Sequence, residues 1–443
     1  MDALETYLST IAEVQRQVER APSWLRDLRQ QAAERFSALG FPSNRLEDWR
    51  YTNVAPITSV RFRPANRQPA HRMPAEGLEL LSWARSAASR LVFVDGYFSP
   101  QLSSIHTLPP GVALSNIAAA VMAEEDFVSA QLAKIASCGE SGFVALNTAF
   151  LQDGAFLRIE PGAVVAEPIH LVFLSTQQSE PTMSHPRSLI VAERGSQATV
   201  VESYVNFGSG KHLSNAVTEL VVGEGAVIEH ATLARQTASM SHFATLAVRQ
   251  GRANNVALHS FTLTSGLVRN DVTVELDGDG SECVVNGLFL GDGRAHIDNR
   301  TTIDHLKPSC SSQELYKGIL DGHSAGIFNG RIRVRPAAQK TNARQTNKNL
   351  LLSPDAQINT NPQLEILADD VKCYHGSTIG QLDADALFYL RARGIDEDMA
   401  RTMLTRAFAN EMIERLRSVP LRRHFQDLVQ SQLRATVVAE ELS

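Results

Sequence analysis

Three regions of the chain differ in rhythm. From the start to about Gly40, apolar residues recur three and four apart: Leu4, Leu8, Ile11, Val14 and Val18, then Leu25, Leu28 and Phe36 after Pro22 and Ser23. This spacing lines one face of a helix, so it predicts two helices, stopped at Gly40-Phe41-Pro42. The polar–aromatic stretch Leu46-Glu47-Asp48-Trp49-Arg50-Tyr51-Thr52 follows and has no period of its own.

From about Ser141 to Leu367 the helical period gives way to short runs of Val, Ile, Leu and Thr divided by Gly, Asp, Asn and Ser, the pattern of strands. Similar units recur. Glu160-Pro161-Gly162-Ala163-Val164-Val165 is followed by Glu193-Arg194-Gly195 leading to Ala198-Thr199-Val200-Val201-Glu202. Gly223-Glu224-Gly225-Ala226-Val227-Ile228-Glu229, Gly251-Arg252-Ala253 and Asp277-Gly278-Asp279-Gly280 each lead into a further apolar strand. A repeat near 30 residues is that of stacked β-coils. A β-sandwich also needs many short strands, but the uninterrupted series of like units favours a mainly β, parallel solenoid whose exposed ends require a cap or a partner.

After about Gln381 helices return. Asp383 is a predicted N-cap for Leu387, Phe388 and Leu390, with Gly394 at the end. Asp396 caps a second helix, in which Ala400, Met403, Leu404, Ala407, Phe408, Met412, Ile413 and Leu416 form one wide apolar stripe. Pro420 closes it, and a shorter helix through Phe425, Leu428, Val429 and Leu433 follows. On pattern alone the stripe packs on the chain's own core. The expected organisation is therefore a helical region and lead-in over 1–140, a β-solenoid over 141–380 and a helical region over 381–443.

Composition narrows the function. The 43% hydrophobic and 20% charged residues are those of a globular protein, and the net charge of −6 speaks against a nucleic-acid partner. Arg331, Arg333 and Arg335 alternate along one segment and read as a solvated strand face. The acidic, amphipathic start and the lack of a long apolar run predict neither export nor membrane insertion. Four cysteines in 443 residues are too few for a disulfide framework, and a reducing cytoplasm is the expected setting.

Little chemistry is visible in local motifs. Gly208-Ser209-Gly210-Lys211-His212 lacks both the earlier glycine and the Ser or Thr of a phosphate loop. There is no CxxC pair to frame a zinc ribbon or a four-cysteine cluster site. Cys138 and Cys283 read as core or incidental, and His305 and Cys310, five apart through a proline, read as structural. In Asp369-Asp370-Val371-Lys372-Cys373-Tyr374-His375-Gly376 a strand would put Cys373 and His375 on one face and Lys372 and Tyr374 on the other. A thiol beside an imidazole suits a soft metal, but two ligands leave the rest to another strand, chain or molecule. A buried cysteine beside a hydrogen-bonded histidine is the plain structural alternative.

The segment from Glu365 to Gly380, followed by Leu387-Phe388-Tyr389-Leu390-Arg391-Ala392-Arg393-Gly394-Ile395, resembles the core signature of the SufB/SufD family. Supporting stretches are Leu46–Thr52, Pro168-Ile169-His170-Leu171, Tyr316-Lys317-Gly318-Ile319 and Thr346-Asn347-Lys348-Asn349-Leu350-Leu351. Gly376 after His375 resembles the SufD side of the family, since the SufB side carries Glu there. The resemblance implies a right-handed parallel β-helix between helical ends. It also implies a non-enzymatic scaffold in a complex with a SufB-type subunit and a SufC-type ATPase that supports iron–sulfur cluster assembly. It further implies that Cys373 and His375 lie at the SufB-facing interface as metal ligands. No cofactor is then held tightly by the isolated chain, and iron or a cluster is there only in transit. The C-terminal helices would dock the ATPase, through Leu387, Phe388, Met403, Leu404, Phe408 and Met412. An open solenoid end also permits a homodimer. A cytoplasmic carbohydrate-active β-helix enzyme is the alternative from another class, disfavoured by 6% aromatic content. A purely structural subunit is the third reading.

Overall fold

The computed structural model describes residues 3–17, 21–66, 89–176 and 178–441; Val18 of the predicted first helix lies outside them. Successive strands alternate between two sheets, each of 11 strands, and each strand of the long central run pairs in parallel with the one two elements further on. Register partners along one sheet are Gln197 with Val227, Val227 with Asn255, Asn255 with Glu282, Glu282 with Ser311, Ser311 with Asn342, and Asn342 with Lys372. The repeat thus varies from 27 to 31 residues. This is the two-sheet parallel β-solenoid that the repeating units predict.

The corners explain why the repeat is legible. On one edge of the coils, Gly162, Gly195, Gly225, Ala253, Gly280, Ser309 and Lys340 occupy equivalent positions, all with positive φ. Each donates its N–H to the next corner: Gly162 to Arg194 O, Gly195 to Glu224 O, Gly225 to Arg252 O, and so on to Lys340 with Asp370 O. A left-handed residue turns the chain through the corner, which glycine does without steric cost. Side chains alternate from there. Leu171, Val200, Ile228, Val256, Val285 and Phe289 fill the interior, each contributing about 1.5–3 kcal/mol by leaving water.

The two ends of the solenoid differ. At the N-terminal end Val112–Asn116 runs antiparallel to Gly154–Ile159, and Tyr97–Phe98 and Ser104–Ile105 run antiparallel to Ser89–Val94. These strands close that end. At the other end Gln357–Ile366 and Lys372–Gly380 each have a neighbour on one side only among the described residues.

Three local expectations differ from the structure. Parallel pairing starts well before Ser141, with Ser89–Val94 beside Ile169–Ser175. Residues Gly142–Ala149 are helical, capped by the Ser141 side chain, which accepts from Val144 N. The short buried apolar run Phe143-Val144-Ala145-Leu146 fits a strand or a helix equally well by pattern. The last helix, Val419–Glu441, has 23 residues against 17 for Glu397–Ile413, so it is the longer of the two. Pro420 lies in its first turn, where the missing N–H costs no helical bond, and so starts this helix.

Helices cover both outer faces. Ile11, Val14 and Phe36, with Phe143 and Leu146, pack on Met183, Leu213 and Phe243 of the first sheet. Ala409, Met412, Ile413, Leu416, Phe425 and Val429 pack on Leu233, Phe261, Leu288, Leu315 and Ile319 of the second.

Candidate functional site

The polar–aromatic stretch near the N-terminus is a clamp. Glu47–Trp49 is one turn of 3-10 helix. The Arg269 guanidinium lies 3.5 Å from the centre of the Trp49 ring and donates to Asp48 O at 2.7 Å and to Asp298 at 2.9 Å. Arg300 reaches the Asp48 carboxylate at 3.1 Å, and Thr52 donates to Asp298 at 2.6 Å. The motif thus ties the N-terminal region to the outer face of the first sheet.

On the second sheet, Tyr316-Lys317-Gly318-Ile319 alternates in and out. Tyr316 points into the solenoid, where its ring fills the space left by Gly287; a Cβ there would collide with it. Lys317 points out and grips the C-terminal helices, donating to Phe408 O at 2.9 Å and to Glu411 at 2.6 Å with its ammonium 4.0 Å over the Phe408 ring.

Cys373 and His375 sit on the last strand, Lys372–Gly380. Cys373 is in register with Ala343 and His375 with Gln345. Ala343 belongs to the solenoid interior, against which Cys373 is packed. Both residues therefore share the inward face, and Tyr374 turns outward into solvent. Among the described residues no coil covers this strand, so His375 is exposed at the mouth of the solenoid while Cys373 is half-buried. Burial raises the Cys373 thiol above its ordinary pKa, an effect only partly offset by a backbone hydrogen bond at Ala343. Its sulfur is thus predominantly a thiol at neutral pH and must lose a proton to bind a metal. A shallow groove of about 650 Å³ runs alongside, lined among others by Gln313, Arg344, Tyr374 and His375.

The other cysteines and His305 are not drawn into this site. Cys283 and Cys310 are buried, Cys138 is half-buried, and none is in a disulfide. His305 pairs with Ser312 at 2.9 Å, while the Cys310 thiol donates to Gly278 O at 3.2 Å. Among the described residues no group of three or more His, Cys, Asp or Glu is placed to hold a metal ion.

The interior beneath His375 holds polar residues that pattern reading missed: Glu314 and Gln345, buried and joined by a 2.6 Å hydrogen bond. They stand at inward positions where alternation predicts apolar side chains, and nothing in the sequence marks them apart from outward-facing polar ones.

The apolar stripe of the C-terminal helices divides. Asp383 and Asp396 cap their helices as expected, accepting from Ala386 N and Met399 N respectively. Met412 is 1% exposed in the chain's own core, and Phe408 is half-buried against that core. Of the expected docking set, these two positions face the chain's own core, where outer-sheet residues such as Leu315 and Ile319 occupy that side of the helix. Leu387 and Leu404 are half-buried. Phe388, Tyr389, Met399 and Met403 form the exposed part, with Phe388 73% exposed.

Comparison with known proteins places these features in a family. The SufBD core domain of the SUF iron–sulfur cluster assembly system matches residues 173–408, and the SufBD N-terminal region matches residues 1–171. An iron–sulfur cluster assembly SufBD family protein of Synechocystis is 33% identical over 396 residues, covering 88% of this chain and 86% of that protein. The iron–sulfur cluster assembly protein SufD of Escherichia coli is 31% identical over 396 residues, 89% of each chain. SufD of Bacillus subtilis is 25% identical over 426 residues. No helix among the described residues is long and apolar enough to cross a membrane.

Proposed function

The chain belongs to the SufB/SufD family of iron–sulfur cluster assembly proteins, and we propose that it acts as the SufD-type scaffold of a cytoplasmic complex with a SufB-type subunit and a SufC-type ATPase. One observation carries this reading: Cys373 and His375 share the inward face of a strand that ends an uncovered solenoid. An open sheet edge is a template for pairing with a strand of another chain. A SufB-type partner added there would bring further ligands to the same mouth, where iron or a growing cluster is held as cargo between two chains. Two donors alone leave most coordination positions of iron open, so the isolated chain binds it weakly.

The ATPase docks on the exposed part of the C-terminal helices around Phe388 and Met403. Neighbouring residues of those helices pack on the solenoid, so movement of a bound ATPase is passed to the coils. The chain itself catalyses no step in this reading, and family membership displaces the carbohydrate-active alternative.

The test is cluster formation in the three-protein complex. His375→Ala should leave the complex assembled by size-exclusion chromatography while cluster yield falls sharply. Cys373→Ala should do the same or less. Normal yield from both variants would leave the chain a structural partner only.

A further inference from the structure

Glu314, Gln345 and His375 stand one above another on three consecutive coils: Glu314 is in register with Gln345, and Gln345 with His375. Parallel neighbours lie about 4.8 Å apart, so these side chains form one inward-facing column that rises to the mouth of the solenoid. Gln345 Nε2 donates to Glu314 Oε2 at 2.6 Å. With its NH₂ end on the Glu314 carboxylate, the amide turns its oxygen away from Glu314. The other end of the amide, Oε1, is buried and has no hydrogen-bond partner among the described residues.

Space for the amide comes from the opposite sheet. A Cβ at Gly330 would collide with Gln345 Nε2. The side chain is thus held from two sides, by a hydrogen bond and by a cradle, with an unsatisfied acceptor left over. Leaving such an acceptor without a donor costs about 1–3 kcal/mol. The next coil offers His375, which is exposed.

We propose that Gln345, held by Glu314, is a positioning residue for His375: its amide oxygen accepts one imidazole N–H and leaves the other ring nitrogen unprotonated and directed out of the mouth. A histidine ligand is typically set in this way, by a carbonyl or carboxylate on its far nitrogen that fixes the tautomer and the ring plane. Here that acceptor belongs to the interior of the solenoid, so the ligand is oriented before any partner arrives. The inference rests on His375 being a cluster ligand, as argued above, but its test does not depend on cluster formation.

The experiment uses the full chain alone, with ¹⁵N-labelled histidine. Two-bond ¹⁵N–¹H correlations report the tautomer, and His375→Asn identifies the His375 signals by their loss. The native chain should show His375 predominantly in one tautomer. Gln345→Met keeps the volume but removes the oxygen, and should shift His375 to the mixture shown by a histidine in an unstructured peptide. Glu314→Gln, which still offers a carbonyl to the Gln345 NH₂, should retain the native ratio. If Gln345→Met does not fold, Gly330→Ala displaces the same amide and gives the same reading. An unchanged tautomer ratio in the folded Gln345→Met or Gly330→Ala chain overturns the proposal, even where His375→Ala abolishes cluster yield. Conversely, a shifted ratio combined with full cluster yield from His375→Ala would sustain the hydrogen bond and remove the ligand role.

Discussion

Phe388 and Met412 were both expected at the ATPase interface, and the structure makes them opposite kinds of position. Phe388 is 73% exposed and Met412 is 1% exposed. Truncating Phe388 to alanine removes almost no buried surface from the free chain, so its stability should change by less than about 0.5 kcal/mol. If Phe388 anchors the ATPase, the same truncation removes an aromatic from the centre of an interface, where such losses run to about 2–4 kcal/mol. At 1.4 kcal/mol per factor of ten, the dissociation constant should rise about 30- to 700-fold. Met412→Ala opens a cavity among Leu315, Ile319 and Phe425 and should cost about 2–5 kcal/mol of stability. Calorimetric titration with the purified ATPase, run beside thermal unfolding of each variant, separates the two effects. Phe388→Ala should bind weakly with an unchanged midpoint, whereas Met412→Ala should unfold early. Native-like affinity in both Phe388→Ala and Met403→Ala, with the fold intact, would refute docking on this face.

Three further outcomes follow from the same geometry. Burial pushes the Glu314 carboxyl up to about 7. A raised folded pKa means that its contribution is complete below its unfolded value near 4.5 and is lost as pH rises towards 7, a span worth roughly 3 kcal/mol. Glu314→Gln should therefore gain stability over the native chain between pH 5 and 8 in denaturant titrations, and a gap independent of pH would count against the buried carboxyl. Arg269→Met strips Asp298, 0% exposed, of a main cationic partner and removes the cation under Trp49. It should cost about 3–5 kcal/mol, read as a lower unfolding midpoint; a change below 1 kcal/mol would show that the clamp is dispensable. The raised thiol pKa and half-burial of Cys373 predict slower alkylation by iodoacetamide at pH 8 than for free cysteine, measured by mass spectrometry of the native chain, and equal rates would contradict its packing against the interior.

The solenoid was readable because most of its corners carry the residue that the geometry favours. Gly162, Gly195, Gly225 and Gly280 announce a left-handed turn, and the apolar alternation after each announces a strand. Ser309 and Lys340 adopt the same conformation without glycine, so the last coils are silent in that signal. The pairing of Cys373 with His375 was also visible, because a strand repeats every two residues whatever it packs against. What lies beneath them was not. Register across 30 residues brings Gln345 under His375, and spacing along the chain carries no trace of that contact. Helix faces failed for a related reason. Periodicity showed that the residues from Ala400 to Leu416 are apolar on one side, but only the placement of the outer sheet decides that Met412 goes inward and Met403 stays out.

In a solenoid each coil touches only its neighbours, so the stack behaves like a zipper that opens from an unprotected end. The antiparallel strands near Val112 and Ser89 lock one end, which leaves the strand carrying Cys373 and His375 as the end from which opening starts. The C-terminal helices act against this as a strap laid across the teeth. Arg417 bonds Asn255, Arg415 bonds Asn286, Lys317 holds Glu411, and Arg401 donates to Leu352 O just past the next-to-last strand of that sheet. The strap stops one strand short of the candidate ligands. Whatever tightens or loosens those helices changes how readily the final coil frays, and so sets how long Cys373 and His375 are held in register with the coil below.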